Sequence, residues 1–101
     1  MNNEPLGPKD PEEIKVMKFA FARELAGATI AVVESVTPSV YKGTDPNPGA
    51  VALGAPVVSG TDVLQRMQGG LHGVAYKWRA KVTDSNGNVH VVTDWVLVQT
   101  L

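Results

Sequence analysis

The chain has no cysteine. Disulfides and thiolate metal centres are therefore excluded, and no feature speaks for an oxidising compartment. Aromatic residues are scarce, at 6% of 101 residues, with two each of Trp, Tyr and Phe to anchor a core. Neither sign of charge dominates: 9 basic against 10 acidic residues leave a net charge of −1. No whole-chain field would therefore attract nucleic acid or an anionic membrane. No apolar run approaches the ~18 residues of a membrane span, and the opening "MNNEPLGPKDPEE" holds none at all. Neither a secretory leader nor a membrane contact is expected, and a soluble chain made and kept in the cytoplasm is the default reading.

Length fits one domain, large enough to bury roughly two-thirds of its unfolded surface. Residues 1–12, with Pro5, Pro8 and Pro11 among polar neighbours, read as a flexible arm, and 13–101 as the folded domain. In "IKVMKFAFA", Met17, Phe19 and Phe21 share one side of an extended strand, followed by a short turn over "ARELAG" that stops at Gly27. "ATIAVVESV", 28–36, is β-branched and predicts a second strand. The stretch 37–50 carries three prolines, so a loop is expected there, with at most a short edge strand at 38–42. Residues 51–58 and 62–68 flank "SGT", and a turn at Gly60-Thr61 would face Val58 with Val63. "GGLHG", 69–73, breaks the chain again.

The last third carries the strongest pattern. In "VAYKWRAKV", Val74, Tyr76, Trp78, Ala80 and Val82 fall on one face, and Lys77, Arg79 and Lys81 on the other. "VTDSNGNVHVV" follows, with Asp84, Asn86 and Asn88 spaced like the first ligands of a calcium loop. Asn86-Gly87 is equally a hairpin signal. A two-residue turn there sets Ser85 opposite Asn88, Val82 opposite Val91, Trp78 opposite Trp95, Tyr76 opposite Leu97 and Arg79 opposite Asp94. That register pairs apolar with apolar and cation with anion, each worth roughly 0.2–1 kcal/mol. A calcium loop explains less, because its twelfth position would be Trp95 instead of a bidentate Glu. About seven short strands without a long amphipathic helix imply an all-β, immunoglobulin-like antiparallel sandwich with an N-terminal arm.

No catalytic site emerges. His72 and His90 are not helically paired, no nucleophile elbow surrounds the serines, the acids do not cluster, and "GGLHG" lacks the GK[ST] of a phosphate loop. No enzyme activity, metal or cofactor is expected. The stripe Lys77, Arg79, Lys81 reads as a solvated outer face or as a docking surface for an acidic partner; without aromatic residues interleaved it offers no platform for bases.

Residues 42–89 resemble a family of small proteins encoded among the structural genes of tailed phages and prophages. The resemblance rests on Gly43-Thr44-Asp45-Pro46, the Ser59-Gly60 turn, Gln65-Arg66, Gly69-Gly70, the Tyr76-to-Val82 strand and the turn from Asp84 to Gly87. It implies a non-enzymatic virion or assembly protein near the head or head–tail region, made in the bacterial cytoplasm and docking on a capsid, portal or tail component. A homo-oligomer is allowed for, and no catalytic residues carry over. The candidate contacts are Asp45, Pro46, Asn47 and Pro48 in the proline-rich loop, with Lys77, Arg79 and Lys81; the glycine corner 69–73 and the arm are secondary. The alternative is a carbohydrate or surface adhesion domain, which Tyr41 or Trp95 exposed beside a groove would favour.

Overall fold

A computed structural model describes residues 6–101, with side chains from Pro8 onward. Seven strands run in order: β1 (Leu6–Lys9), β2 (Lys15–Ala20), β3 (Ile30–Lys42), β4 (Ala52–Ser59), β5 (Asp62–Met67), β6 (Ala75–Asp84) and β7 (Val89–Val98). A single helical turn, α1 (Ala22–Leu25), follows β2, and a 3-10 turn, Pro48–Val51, precedes β4. The strands form two sheets, β1-β7-β6-β3 and β2-β5-β4. Every pairing is antiparallel except β1 with β7. The molecule is thus an all-β sandwich.

Period-two patterning builds the core. Met17 and Phe19 of β2, with Phe21 just beyond it, point inward against Val63 and Met67 of β5 and against Tyr76, Trp78, Ala80 and Val82 of β6. Trp78, Tyr76 and Phe19 are fully buried. The Gly60 turn is as expected, with Val58 opposite Val63 and Gly60 at φ 61°. The helical turn also ends as expected, except that Ala26, at φ 50°, enters the left-handed region before Gly27 does.

Two expectations differ at the edges. β3 runs unbroken from Ile30 to Lys42, so the strand expected at 28–36 and the short edge strand allowed at 38–42 are one, continuous through Pro38. It can do so because β3 is an edge strand: Pro38 pairs with Trp78 on one side and needs no donor on the other. The stretch expected as a flexible arm carries β1, which adds to β7. Lys9 anchors it with a buried stem, and its ammonium donates to Gly69 O at 2.7 Å and Asp10 O at 3.0 Å. Residues 1–5 of the expected arm lie outside the described residues.

The largest correction concerns the β6–β7 register. β6 and β7 are joined as expected, but Trp78 faces Asp94, Tyr76 faces Val96, Arg79 faces Thr93 and Val82 faces His90. The register is slipped by one residue because the turn holds three residues. Gly87 N–H donates to Asp84 O at 3.0 Å, and Asp84 N–H donates to Asn88 O at 2.8 Å. This is a type I turn followed by a left-handed Gly87 at φ 84°. The two-residue alternative would need positive φ at Asn86 too, which Asn86 does not have. Asp84 locks the loop: its Oδ1 accepts the N–H groups of Asn86 (2.8 Å) and Asn88 (2.9 Å), and its Oδ2 lies 2.8 Å from His90 Nε2. The residues spaced like calcium ligands are thus spent on a turn.

One slip reverses every side chain of β7. Asp94, Val96 and Val98 face the core, while Val91, Trp95 and Leu97 face out. Two buried carboxylates of this hairpin then respond oppositely to pH. His90 and the loop N–H groups hold Asp84 below the ordinary carboxylate range. Burial pushes Asp94 up, against the single N–H of Trp95 at 2.8 Å. The lowered Asp84 contributes stability that is in full above the unfolded carboxylate value of ~3.9 and is lost as pH falls through the folded value. The raised Asp94 does the reverse, so stability is lost as pH rises from ~3.9 through its folded value. Denaturation followed from pH 2 to pH 7 should show Asp84→Asn with a flattened acid limb. Asp94→Asn should be more stable than wild type at neutral pH and lose that advantage in acid.

Candidate docking surface

The outer face of the four-stranded sheet is assembled from three strands. β6 turns Lys77, Arg79 and Lys81 outward, as its alternation predicts. β7 sets Trp95 beside Lys77, Thr93 beside Arg79 and Val91 beside Lys81. β3 sets Ser39, Thr37 and Ser35 on their other flank. The expected Arg79–Asp94 pair does not form, since Asp94 is inside. Among the described residues Lys42, Lys77, Arg79 and Lys81 make no ion pair. Glu34 lies toward one end of the face, where its Oε2 accepts the Thr83 hydroxyl at 2.7 Å. The stripe does interleave with aromatic and aliphatic groups, contrary to expectation. Trp95, Val91 and Leu97 are each 37% exposed.

At one end this face deepens into a groove of about 480 Å³, lined by Pro8, Tyr41, Lys42, Ala75, Trp95, Val96 and Leu97. Tyr41 and Trp95 meet edge to face, ring centroids 6.4 Å apart at 71°. They reach each other from β3 and β7 across Ala75 of β6, the strand between them. Sequence reasoning missed this groove for two reasons. The expected register puts Trp95 on the inner phase of β7, and the short edge strand expected at 38–42, with Tyr41, is set against no neighbour, whereas that segment is the end of β3.

The proline-rich loop leaves β3 directly after groove residue Lys42. Asp45 is half-buried: its Oδ1 accepts Asn47 N–H at 2.9 Å, and its Oδ2 accepts the Tyr76 hydroxyl at 2.6 Å. Pro48 opens the 3-10 turn, and Pro46 and Asn47 are exposed at the tip. Tyr76 OH also accepts Leu71 N–H at 3.0 Å. One phenol thereby ties the loop 43–49 to the glycine corner 69–73. Burial, then the bond to Asp45, pushes the Tyr76 hydroxyl up to about 12, so it stays a neutral donor. The corner requires Gly70, at φ 95°, because a Cβ there would stand 2.7 Å from Val98 Cγ2.

Chemistry finds no centre here. The histidines sit toward opposite ends of the β6–β7 hairpin, His72 in the glycine corner before β6 with its Nδ1 accepting Thr100 N–H at 3.0 Å, and His90 in β7 opposite Val82 and against Asp84. His90 therefore belongs to the inward face, not the polar one. Among the described residues no three metal-ligating side chains converge. The face thus combines an aromatic depression at one end, with Lys42 in its lining, and a cationic stripe running from it along β6.

The model of a family described as podophage GP4 fiber-tail adaptor protein gp77 matches residues 9–96, and the chain belongs to that family. Comparisons with curated proteins and with solved structures returned no match. Membership makes the chain a phage structural gene product with a docking role.

Tyr76→Phe should destabilise the fold by about 1–3 kcal/mol in chemical denaturation, because it removes the partner of Asp45 Oδ2 and of the Leu71 N–H. Amide exchange at Leu71 should quicken. A change within ~0.5 kcal/mol would mean that the hydroxyl does not join the two loops.

Proposed function

We propose that this member of the fiber-tail adaptor family is a virion component that joins a fiber to the tail of a podophage-like particle by protein–protein docking, without catalysis. The family match over residues 9–96 carries the reading. On this reading the location is the tail, and among the capsid, portal or tail components expected as partners the tail component is preferred, with a fiber protein on the other side; the family description supports this choice. Assembly in the bacterial cytoplasm follows from that role.

An adaptor needs two contact surfaces, and the sandwich offers two. One is the cationic aromatic face with the loop tip Asp45, Pro46, Asn47 and Pro48 at its end. Lys77, Arg79 and Lys81 are its charged members. The other is the outer face of the three-stranded sheet, where Val16, Leu53, Val57, Leu64 and Arg66 enclose a shallow depression of about 390 Å³. Strand order supports the immunoglobulin-like reading as well: β2-β5-β4 against β7-β6-β3 is the order of the B-E-D and G-F-C strands in that fold. Several copies around a tail would turn weak single contacts into firm attachment.

Tyr41, 60% exposed, and Trp95 beside a groove are the observation that favours carbohydrate adhesion. The lining argues for protein. Among the described residues its polar groups are the Tyr41 hydroxyl, the Trp95 indole N–H and the Lys42 ammonium, whereas sugar hydroxyls need several fixed partners.

Particles assembled with the gene deleted should keep tails and lack fibers, and Trp95→Ala with Tyr41→Ala should reproduce that loss when fibers are counted by electron microscopy. A full fiber complement without the chain would overturn the adaptor reading. Full fibers on the double variant, with reduced adsorption to cells, would favour the carbohydrate reading instead.

A further inference from the structure

We infer that the outer face of the β1-β7-β6-β3 sheet receives an acidic protein segment that seats one apolar side chain in the Tyr41–Trp95 groove. The inference rests on the adaptor reading and names the chemistry of one partner.

Charge complementarity carries it. Four cations, Lys42, Lys77, Arg79 and Lys81, share one face without an ion pair among the described residues. The chain as a whole is slightly acidic, at −1, so this concentration is local. The acids that could have balanced it are engaged elsewhere. Asp84 and Asp94 are buried, and Asp45 is bound to Tyr76. Glu34, among the described residues, lies at the far end, bonded to Thr83. A partner bringing carboxylates would meet cations that have no ion-pair partner among the described residues. In a half-exposed setting such pairs govern encounter rate and partner choice more than raw affinity.

The groove supplies the affinity. Its aromatic wall and apolar floor suit a single large aliphatic or aromatic side chain, and buried anchors of that kind dominate protein interfaces. The geometry also separates a protein from a nucleic acid. Tyr41 stands edge-on to Trp95 at 71°, so the pair does not present two parallel faces to successive bases.

The test uses the full chain and the two tryptophans as reporters. Trp78 is buried and Trp95 is exposed, so a ligand on this face should change the emission of Trp95 alone. The probe is a short peptide of glutamates around one phenylalanine, compared with its glutamine counterpart and with oligo-dT of equal length. The glutamate peptide should bind at least about tenfold more tightly than the glutamine one, and added salt should weaken it. Trp95→Phe should abolish the signal. Lys77→Glu with Arg79→Glu and Lys81→Glu should abolish binding while the circular dichroism stays unchanged. Equal binding of both peptides, or tighter binding of oligo-dT, would overturn the inference. So would the charge-reversed chain still supporting full fiber attachment in particles, an outcome that leaves the adaptor reading standing. Particles that need no chain at all would defeat the adaptor reading itself.

Discussion

The three-residue turn held by Asp84 is the constraint on which the rest of the surface depends. Its carboxylate gathers two loop N–H groups and abuts His90, and Gly87 takes the left-handed conformation that closes a type I turn. One residue more than a tight two-residue turn shifts β7 by one place against β6. Everything outward on β7 follows from that shift. Trp95 lands beside Lys77 in place of facing Trp78, and Asp94 goes inside. A shorter turn would have made a more apolar core and a blander face.

From that register the groove follows by packing alone. Trp95 projects outward over Ala75, whose small side chain leaves room for Tyr41 to arrive from β3. β1 closes the side of the groove with Pro8, and β1 is held by the buried stem of Lys9 and by its ammonium on Gly69 O. Tyr76, on the inward face of the same strand that carries the cations, fixes the two loops beyond it. The candidate surface is therefore rigid where sheet and hydroxyl support it, and exposed chiefly at Pro46 and Asn47.

Much of this was legible in the sequence. The strict alternation from Val74 to Val82 located both the core face and the cationic stripe, and Met17, Phe19 and Phe21 announced the opposing wall. Gly60 set the β4–β5 register correctly. The phage resemblance on residues 42–89 pointed to the class of gene. The misses have physical causes. β7 is apolar in both phases, Val91, Trp95 and Leu97 in one and Val92, Val96 and Val98 in the other, so periodicity could not choose between them. Asn-Gly suits a two-residue turn and a three-residue turn alike; what decides between them is the set of local bonds from Asp84 to Asn86, Asn88 and His90, which hydrophobic patterning does not register. Pro38 was a strand breaker only if the strand were central. Lys9 looked solvated because nothing local shows that its stem is covered.

The family assignment and the face agree in kind: a phage structural protein with a docking role presents a mixed aromatic and cationic surface, its cations without an ion pair among the described residues, on a small sandwich. The β6–β7 register is the most direct test, because every outward group depends on it. Solution NMR can read it from cross-strand NOEs between facing backbones. The account predicts that Trp78 connects to Asp94, Ala80 to Val92 and Val82 to His90. Connections from Trp78 to Trp95, Ala80 to Thr93 and Val82 to Val91 would contradict it and return Trp95 to the core.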